Sequence, residues 1–319
     1  MADATLHPAE RTRPGWLRRL GQAVGVLVCL IALYYVGGAL WLHTIDDDPT
    51  FAETLEVPPG SSRAVAAMTD LIDREVNQNR WVANDPFFQP AYILDNMPNY
   101  QLGMMSALSR ISLELGDRIA RVRSTSQIDP DIDSAAGRLR YPGDVWLFTW
   151  QNSFLPVPTT SSERTYRDAM ASLQRYNQRL SQNQATFERR ADNLLETLDR
   201  LAADLGSISA TSAAKVADRS WFDFDSDDVF YLTKGRMYAY FIVLRELGRD
   251  FEQVLAERQL QPAWDAMIDN LRTAALLQPW VVVNGAPDSQ TMPSHVASQG
   301  FYVARARTQL SEVSQVLAN

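Results

Sequence analysis

The densest group of residues that could do chemistry is the acidic segment WFDFDSDDVFY, which carries Asp223, Asp225, Asp227 and Asp228. Closely spaced carboxylates are typical of calcium loops. An EF-hand loop counted from Asp223 needs glycine at its sixth position and glutamate at its twelfth, but these are Asp228 and Lys234. Carboxylates at a helix start also accept free N–H groups and oppose the positive end of the helix dipole. This second interpretation fits the residues better, so we expect no metal and no cofactor.

Nucleophiles and bases are scarce in this chain. The single cysteine, Cys29, lies in an apolar run, and His295 is the one histidine well inside the later sequence. This leaves too few imidazoles for a His-rich zinc site or a Ser–His triad, and His295 more simply caps a closing helix. We find no GxSxG, HExxH, Walker A or GxGxxG pattern. The sequence predicts no catalytic residue on these grounds.

Paired carboxylates keep an enzymatic alternative open. General acid–base hydrolysis needs two carboxyl groups at a defined separation, one of them with a raised pKa. Asp85, Asp95, Asp192 and Asp228 are the candidates for a carboxylate-dependent envelope hydrolase or glycan-binding enzyme. This alternative predicts that some of these side chains meet in one cleft.

The apolar run from Leu20 to Leu42 decides in which compartment any such site works. It has 23 residues and no charge. At about 1.5 Å per residue it reaches roughly 35 Å, enough to cross a hydrocarbon core of about 30 Å. Arginines precede the run and the aspartates at 46–48 follow it, so the positive-inside rule predicts a cytoplasmic N-terminus. A cleaved signal peptide is the alternative, but its apolar region is usually shorter.

The later chain predicts an all-α domain. Apolar residues recur at helical spacing in most segments between residues 61 and 319. Ser62, Pro262 and Ser294 stand at the predicted starts of three helices. The segment Trp81–Pro98 holds three prolines and predicts an ordered aromatic loop, and alternating aromatics between Trp146 and Phe154 predict a short strand.

The longest periodic stretch predicts a long helix near residues 161–206. Asn183 occupies the one polar place in its apolar seam, and glycine and serine end it after Leu205. A helix packed in its own domain is one interpretation, and an intermolecular coiled coil that builds a homo-oligomer is the other.

The predicted organisation is a basic tail at 1–19, a transmembrane helix at 20–42, a tether at 43–60 and a helical domain at 61–319. The net charge of −8 argues against a nucleic-acid partner.

Several stretches are more specific than their periodicity explains. They include NDPFFQPAYILDNMPNYQLG at 84–103, RADNL at 190–194, DDVFYLTKGRMYA at 227–239, DFEQVL at 250–255 and HVASQGFYVARA at 295–306. Together they resemble the bacterial domain of unknown function 2333, whose members are similar in length and carry one N-terminal membrane segment. The resemblance implies a bacterial inner-membrane protein with a periplasmic C-terminal domain, and it implies no reaction or ligand.

Polar residues within these stretches form the predicted site. They are Asp95, Asn96, Arg190, Asp192, Asn193, Asp228, Arg236, Asn284 and His295. If they surround one pocket, they form a functional site; the alternative is an internal polar network that satisfies buried backbone groups and fixes helix register. The first functional hypothesis is a non-catalytic binding or scaffold protein with a partner in the envelope.

Overall fold

The computed structural model describes residues 15–121, 127–149, 154–218, 225–286, 289 and 292–318. The described chain is largely helical, and the predicted all-α class is confirmed. Two short strands, β1 (Phe148–Thr149) and β2 (Val157–Pro158), form an antiparallel hairpin. The helices are α1 (Gly15–Leu42), α2 (Arg63–Asp73), α3 (Asn96–Arg118), α4 (Pro130–Leu139), α5 (Ser162–Ser181), α6 (Ala191–Ala217), α7 (Ser226–Asp250), α8 (Glu252–Glu257), α9 (Gln261–Ala275) and α10 (His295–Leu317).

Helix α1 differs from the others because its apolar side chains face outward. It has 28 residues, and only 6% of its most apolar stretch is buried. Among the described residues it is the one helix long and apolar enough to cross a membrane. It is therefore compatible with a membrane anchor or a signal sequence.

Helix α7 is the centre of the helical domain. It packs against α2, α3 and α9. Its middle, from Met237 to Leu244, is buried on all sides. At the α3 crossing, a Cβ on Gly235 would clash with the carbonyl of Tyr100. The two helix backbones therefore approach more closely than larger residues would allow.

The prediction of one long helix near 161–206 is wrong in its bounds, because the segment forms two helices. Helix α5 ends at Ser181, and Asn183 follows with a φ of 59°, a left-handed conformation that asparagine tolerates. The N–H groups of Asn183 and Gln184 donate to carbonyls of the last turn, at 3.0 and 2.8 Å. Helix α6 then continues through Gly206 to Ala217, and the Arg307 side chain of α10 packs against Gly206.

Local signals placed other boundaries correctly. The Ser62 hydroxyl accepts the Val65 N–H at the start of α2, Pro262 lies in the first turn of α9, and the Ser294 hydroxyl caps α10. The predicted strand is confirmed as β1, whereas Trp150 lies outside the described residues. Asp223 also lies outside them.

Candidate functional site

Residues 46–55, within the predicted tether, lie along α7; we call this segment the strap. Its backbone is neither helical nor paired in a sheet, so its carbonyl groups need other donors. The Tyr238 hydroxyl donates to the Asp48 carbonyl at 2.8 Å. Arg245 donates to the Pro49 carbonyl, also at 2.8 Å. Side chains of α7 thus supply hydrogen-bond donors to the strap backbone and hold the strap against the domain.

A buried ion pair holds the start of the strap. The Lys234 Nζ atom lies 2.6 Å from Asp47 Oδ2, and it donates to the carbonyls of Ala275 and Leu277 at 2.6 and 2.9 Å. Lys234 is 1% exposed. Burial lowers its pKa, and the hydrogen bond to Asp47 opposes that shift. Gln278 donates to the same carboxylate at 2.8 Å, so one cluster joins the strap, α7 and the end of α9.

A second buried ion pair lies beside the strap. Arg74 donates to Glu75 at 2.9 Å and to the Tyr238 hydroxyl at 2.9 Å. Its guanidinium also stacks over the ring of Phe51, 4.6 Å from the centroid. Burial raises the pKa of Glu75, and the adjacent Arg74 opposes the shift. Both side chains are buried, so this pair fixes the end of α2 under the strap.

The far end of the strap borders a groove built on Glu246. This carboxylate is fully buried and accepts from Arg63 at 2.8 Å, from Arg245 at 3.1 Å and from Arg249 at 2.9 Å. The groove encloses about 680 Å³. Its lining residues are Glu53, Arg63, Arg245, Gly248, Arg249, Glu252, Gln261, Trp264, Asp265 and Ile268.

The groove carries both signs of charge. Its three arginines face three carboxylates on its lining, from Glu53, Glu252 and Asp265. Glu246 further offsets the arginines from below. A polyanion would meet as many negative as positive groups here, whereas a polypeptide with mixed charges would find partners for both. The geometry therefore fits a protein segment better than a phosphate or a nucleic acid.

The nine predicted site residues fall into three separate places. One lies where α3 and α7 begin. Asp95 caps α3 by accepting the Asn96 N–H at 2.8 Å. Asn99 bridges Asp95 to Asp228, donating to the Asp95 carbonyl at 3.0 Å and to the Asp228 carboxylate at 2.6 Å. Arg236 lies two turns further along α7.

Two polar atoms of this first place are buried without a hydrogen-bond partner, namely Asn96 Oδ1 and Arg236 Nε. Burial raises the pKa of Asp228, and the nearby carboxylates of Asp227, Asp95 and Asp225 raise it further. The acidic segment thus concentrates negative charge at the start of α7. Among the described residues, no group of three or more His, Cys, Asp or Glu side chains could hold a metal ion.

The second place is the exposed start of α6. Arg190 donates to both oxygens of Asp192, at 3.1 and 2.8 Å, and Asn193 donates to Glu188 at 3.1 Å. The hydrogen bond from Arg190 lowers the pKa of Asp192. These contacts are local to one helix end.

The third place joins the segment after α9 to α10. His295 Nδ1 accepts the Val283 N–H at 3.0 Å, and burial lowers the pKa of His295. Asn284 accepts from the Ser294 hydroxyl at 3.0 Å and donates to the Lys215 carbonyl near the end of α6 at 2.9 Å. About 23 residues of helix, roughly 35 Å, separate this place from the start of α6. None of the nine lines the Glu246 groove.

The four carboxylates of the enzymatic alternative are also divided. Asp95 and Asp228 come together through Asn99. Asp85 instead accepts from Arg80, with both oxygens 3.1 Å from one guanidinium nitrogen. Burial raises the pKa of Asp85, and Arg80 opposes the shift. Asp192 is held by its own arginine, so two of the four have separate structural partners.

The residues that organise the strap and groove were absent from the predicted site. One signal for them exists in the sequence: the chain has only two lysines, Lys215 and Lys234, and Lys234 lies within the long apolar periodicity of α7. A lone lysine in such a helix needs a partner. Nothing local identified that partner as Asp47, 187 residues away.

Comparison with known proteins gives one match. The family model described as "Uncharacterized protein conserved in bacteria (DUF2333)" matches residues 50–221 and 211–319. No curated protein and no solved structure gives a significant match.

Proposed function

We propose, from the premise that the chain belongs to the DUF2333 family of uncharacterised bacterial proteins, that it is a non-catalytic binding or scaffold protein of the cell envelope. In this proposal α1 is an uncleaved inner-membrane anchor with a cytoplasmic N-terminus. The helical domain lies in the periplasm and binds a partner protein in the Glu246 groove.

The observation that carries the proposal is the strap. A domain on a flexible tether can take any orientation, but here the residues directly after α1 are held by Lys234, Tyr238 and Arg245. The domain is therefore fixed relative to the anchor. Fixed orientation serves a protein that must present one surface at a defined height above the membrane.

The position of the groove supports partner binding. The strap runs along α7 from Lys234, near α1, to Arg249, about 22 Å further along the helix. The groove lies at this second end, away from the membrane helix. Arginine is enriched in protein interfaces, and Arg63, Arg245 and Arg249 line the groove. The enzymatic alternative has less support because its carboxylates are held in separate contacts.

In-cell photo-crosslinking tests the proposal. A photoreactive amino acid replaces the exposed Gln261 in the groove, and a matched control replaces the exposed Thr308 on α10. We expect a discrete envelope protein to crosslink from position 261 and not from 308. The charge reversal Glu252→Arg, at an exposed lining position of the groove, should abolish that product while the protein level stays unchanged.

Other results would contradict the proposal. Equal products from both positions, or products that persist with Glu252→Arg, would show that the groove does not select the partner. A product that contains only a second copy of this chain would show that the groove binds a second copy and not an external partner. Recovery of the chain alone, under several crosslinkers, would contradict the proposed binding function.

A further inference from the structure

The helical domain contacts α1 well before that helix ends. The Tyr34 hydroxyl donates to the Phe88 carbonyl at 3.0 Å, and the Tyr35 hydroxyl donates to the Phe87 carbonyl at 2.5 Å. Both carbonyls belong to the segment between α2 and α3; we call residues 81–95 the aromatic loop. The loop thus lies against the last third of α1.

This contact sets the height of the aromatic loop. Tyr34 precedes Leu42 by about eight residues, or roughly 12 Å of helix. Gly38 lies between them and packs on Pro90, where a Cβ would lie 2.5 Å from the proline ring. If α1 spans the bilayer, as the proposed function requires, the loop lies level with the apolar run of α1 and not above it.

The hydrogen bonding of the loop backbone fits that height. In a hydrocarbon environment a carbonyl without a donor is costly, because no water replaces the missing bond. The hydroxyls of Tyr34 and Tyr35 supply donors for two loop carbonyls. In water these carbonyls would need no partner from the protein.

The side chains of the loop also fit a lipid environment. Phe87, Phe88, Tyr92 and Ile93 are large, apolar and exposed, whereas Trp81, Val82 and Ala91 are buried in the domain. The ring of Trp146 contacts Phe88 and Phe148, at centroid distances of 5.4 and 5.6 Å, and so connects the loop to the β1–β2 hairpin. The exposed apolar residues of the loop and hairpin include Phe87, Phe88, Tyr92, Ile93, Phe154 and Leu155.

A second segment beside α1 has the same character. His43 and Thr44, directly after α1, share a cavity of about 390 Å³ with Leu277 and Pro279. The next residue, Trp280, is fully exposed. Aromatic side chains favour the membrane interface, and contiguous apolar patches of this kind mark interaction surfaces.

We propose that the aromatic loop inserts into the outer leaflet of the bilayer beside α1. This inference rests on the proposed function, because it needs α1 to be a membrane anchor. The occupant of the apolar surface is lipid. Zwitterionic lipid is sufficient, since the chain is acidic, with a net charge of −8, and anionic headgroups would not attract it.

Site-specific fluorescence on the full chain tests the insertion. The chain has one cysteine, Cys29 in α1, so Cys29→Ser provides a background for single labels at Tyr92→Cys, Ile93→Cys and the control Ala256→Cys. Ala256 is exposed on α8, beyond the far end of α7. The labelled chains are reconstituted in dioleoylphosphatidylcholine vesicles and quenched by doxyl-labelled lipid or by aqueous iodide.

We expect doxyl lipid to quench the label on Cys29 of the wild-type chain and the labels at positions 92 and 93 in the Cys29→Ser background. We expect iodide to quench the label at position 256. Lipid quenching at either loop position supports the insertion. Iodide access at both loop positions, with Cys29 still quenched by lipid, would overturn the insertion and leave the anchor intact. Iodide access at Cys29 would instead overturn the anchor in the proposed function.

Discussion

The strap and the aromatic loop both connect α1 to the helical domain, and they do so with opposite chemistry. The strap is polar and partly buried: Asp47 meets the buried Lys234, and six residues further along the strap Glu53 approaches Arg245. The aromatic loop is apolar and exposed, with Phe88 and Tyr92 facing outward. In a water-soluble domain we would expect the reverse arrangement.

The two regions are therefore suited to different surroundings: the strap to the protein interior and its aqueous edge, and the aromatic loop to an apolar solvent. Buried charges are tolerated when each finds a partner and its hydrogen bonds. Lys234 meets this condition, whereas Arg74 donates to Glu75 and Tyr238 but keeps its Nη2 atom without a hydrogen-bond partner among the described residues. Exposed aromatics are tolerated where the solvent is itself apolar. The comparison predicts that substitutions in the strap change folding stability, whereas substitutions on the loop and hairpin change it little.

The largest effect is expected from Lys234→Met. The substitution keeps a long side chain but removes the ammonium group that donates to Asp47 and to two carbonyls. Loss of one partner of a buried ion pair lowers the free energy of unfolding by about 3–5 kcal/mol. Urea unfolding of the full chain in mild detergent, followed by far-UV circular dichroism, measures it. Lys215→Met replaces the other lysine as a control, and an equal loss in both variants would contradict a special role for Lys234.

A smaller loss is expected from Glu246→Gln. The amide keeps the size and one acceptor oxygen, but three arginines then share a neutral group. We expect the free energy of unfolding to fall by about 2 kcal/mol. Glu252→Gln, on the exposed rim of the same groove, is the matched control and should be nearly neutral. Unchanged stability for Glu246→Gln would show that the buried charge is not needed to hold the arginines.

Asp228→Asn should increase stability, and the increase should depend on pH. Burial and neighbouring carboxylates raise the folded-state pKa of Asp228 above its ordinary value of 3.8. Ionisation therefore disfavours the folded state, so the wild-type chain loses stability as pH rises from 3.8 through the raised pKa. An amide removes this loss and still accepts from Asn99. Urea unfolding at acidic and neutral pH should show a gain for the variant at neutral pH that shrinks in acid; a constant or opposite difference would contradict the assigned cause.

The smallest effect is expected from Phe154→Ser. This side chain is fully exposed at the hairpin, so its loss removes no packing inside the domain. In detergent we expect the free energy of unfolding to change by less than about 0.5 kcal/mol. Phe230→Ser, at a fully buried position of α7, provides the contrast and should be strongly destabilising. A large loss for Phe154→Ser would mean that the hairpin is part of the core, and the comparison would fail.

Much of the fold could be predicted because its signals are local. A serine before an apolar period begins α2 and α10, and a proline begins α9, since each satisfies or avoids free N–H groups within one turn. The break after α5 was not predicted. Asn183 was recognised as a polar interruption, but a polar residue can also lie within a continuous helix, so the sequence did not reveal its left-handed backbone.

The candidate site could not be predicted in the same way. Asp95 and Asp228 do meet, yet Arg190 and Asn284 lie elsewhere, because family-like sequence does not say which residues share a surface. The groove residues come from the strap, α2, α7, α8 and α9. No spacing rule joins residues from five segments.

The apolar helix was predictable from the sequence alone, as were the helical class and several helix boundaries. These features depend on periodicity and on neighbours within a few residues. Only the tertiary structure shows that Lys234 and Arg74 are buried, where they meet the partly buried Asp47 and Asp46 of the strap, and that aromatic residues remain outside. The physical reason is that burial depends on packing between distant segments. Composition would assign the charges to the surface and the aromatics to the core, and in this protein the packing beside α1 reverses both.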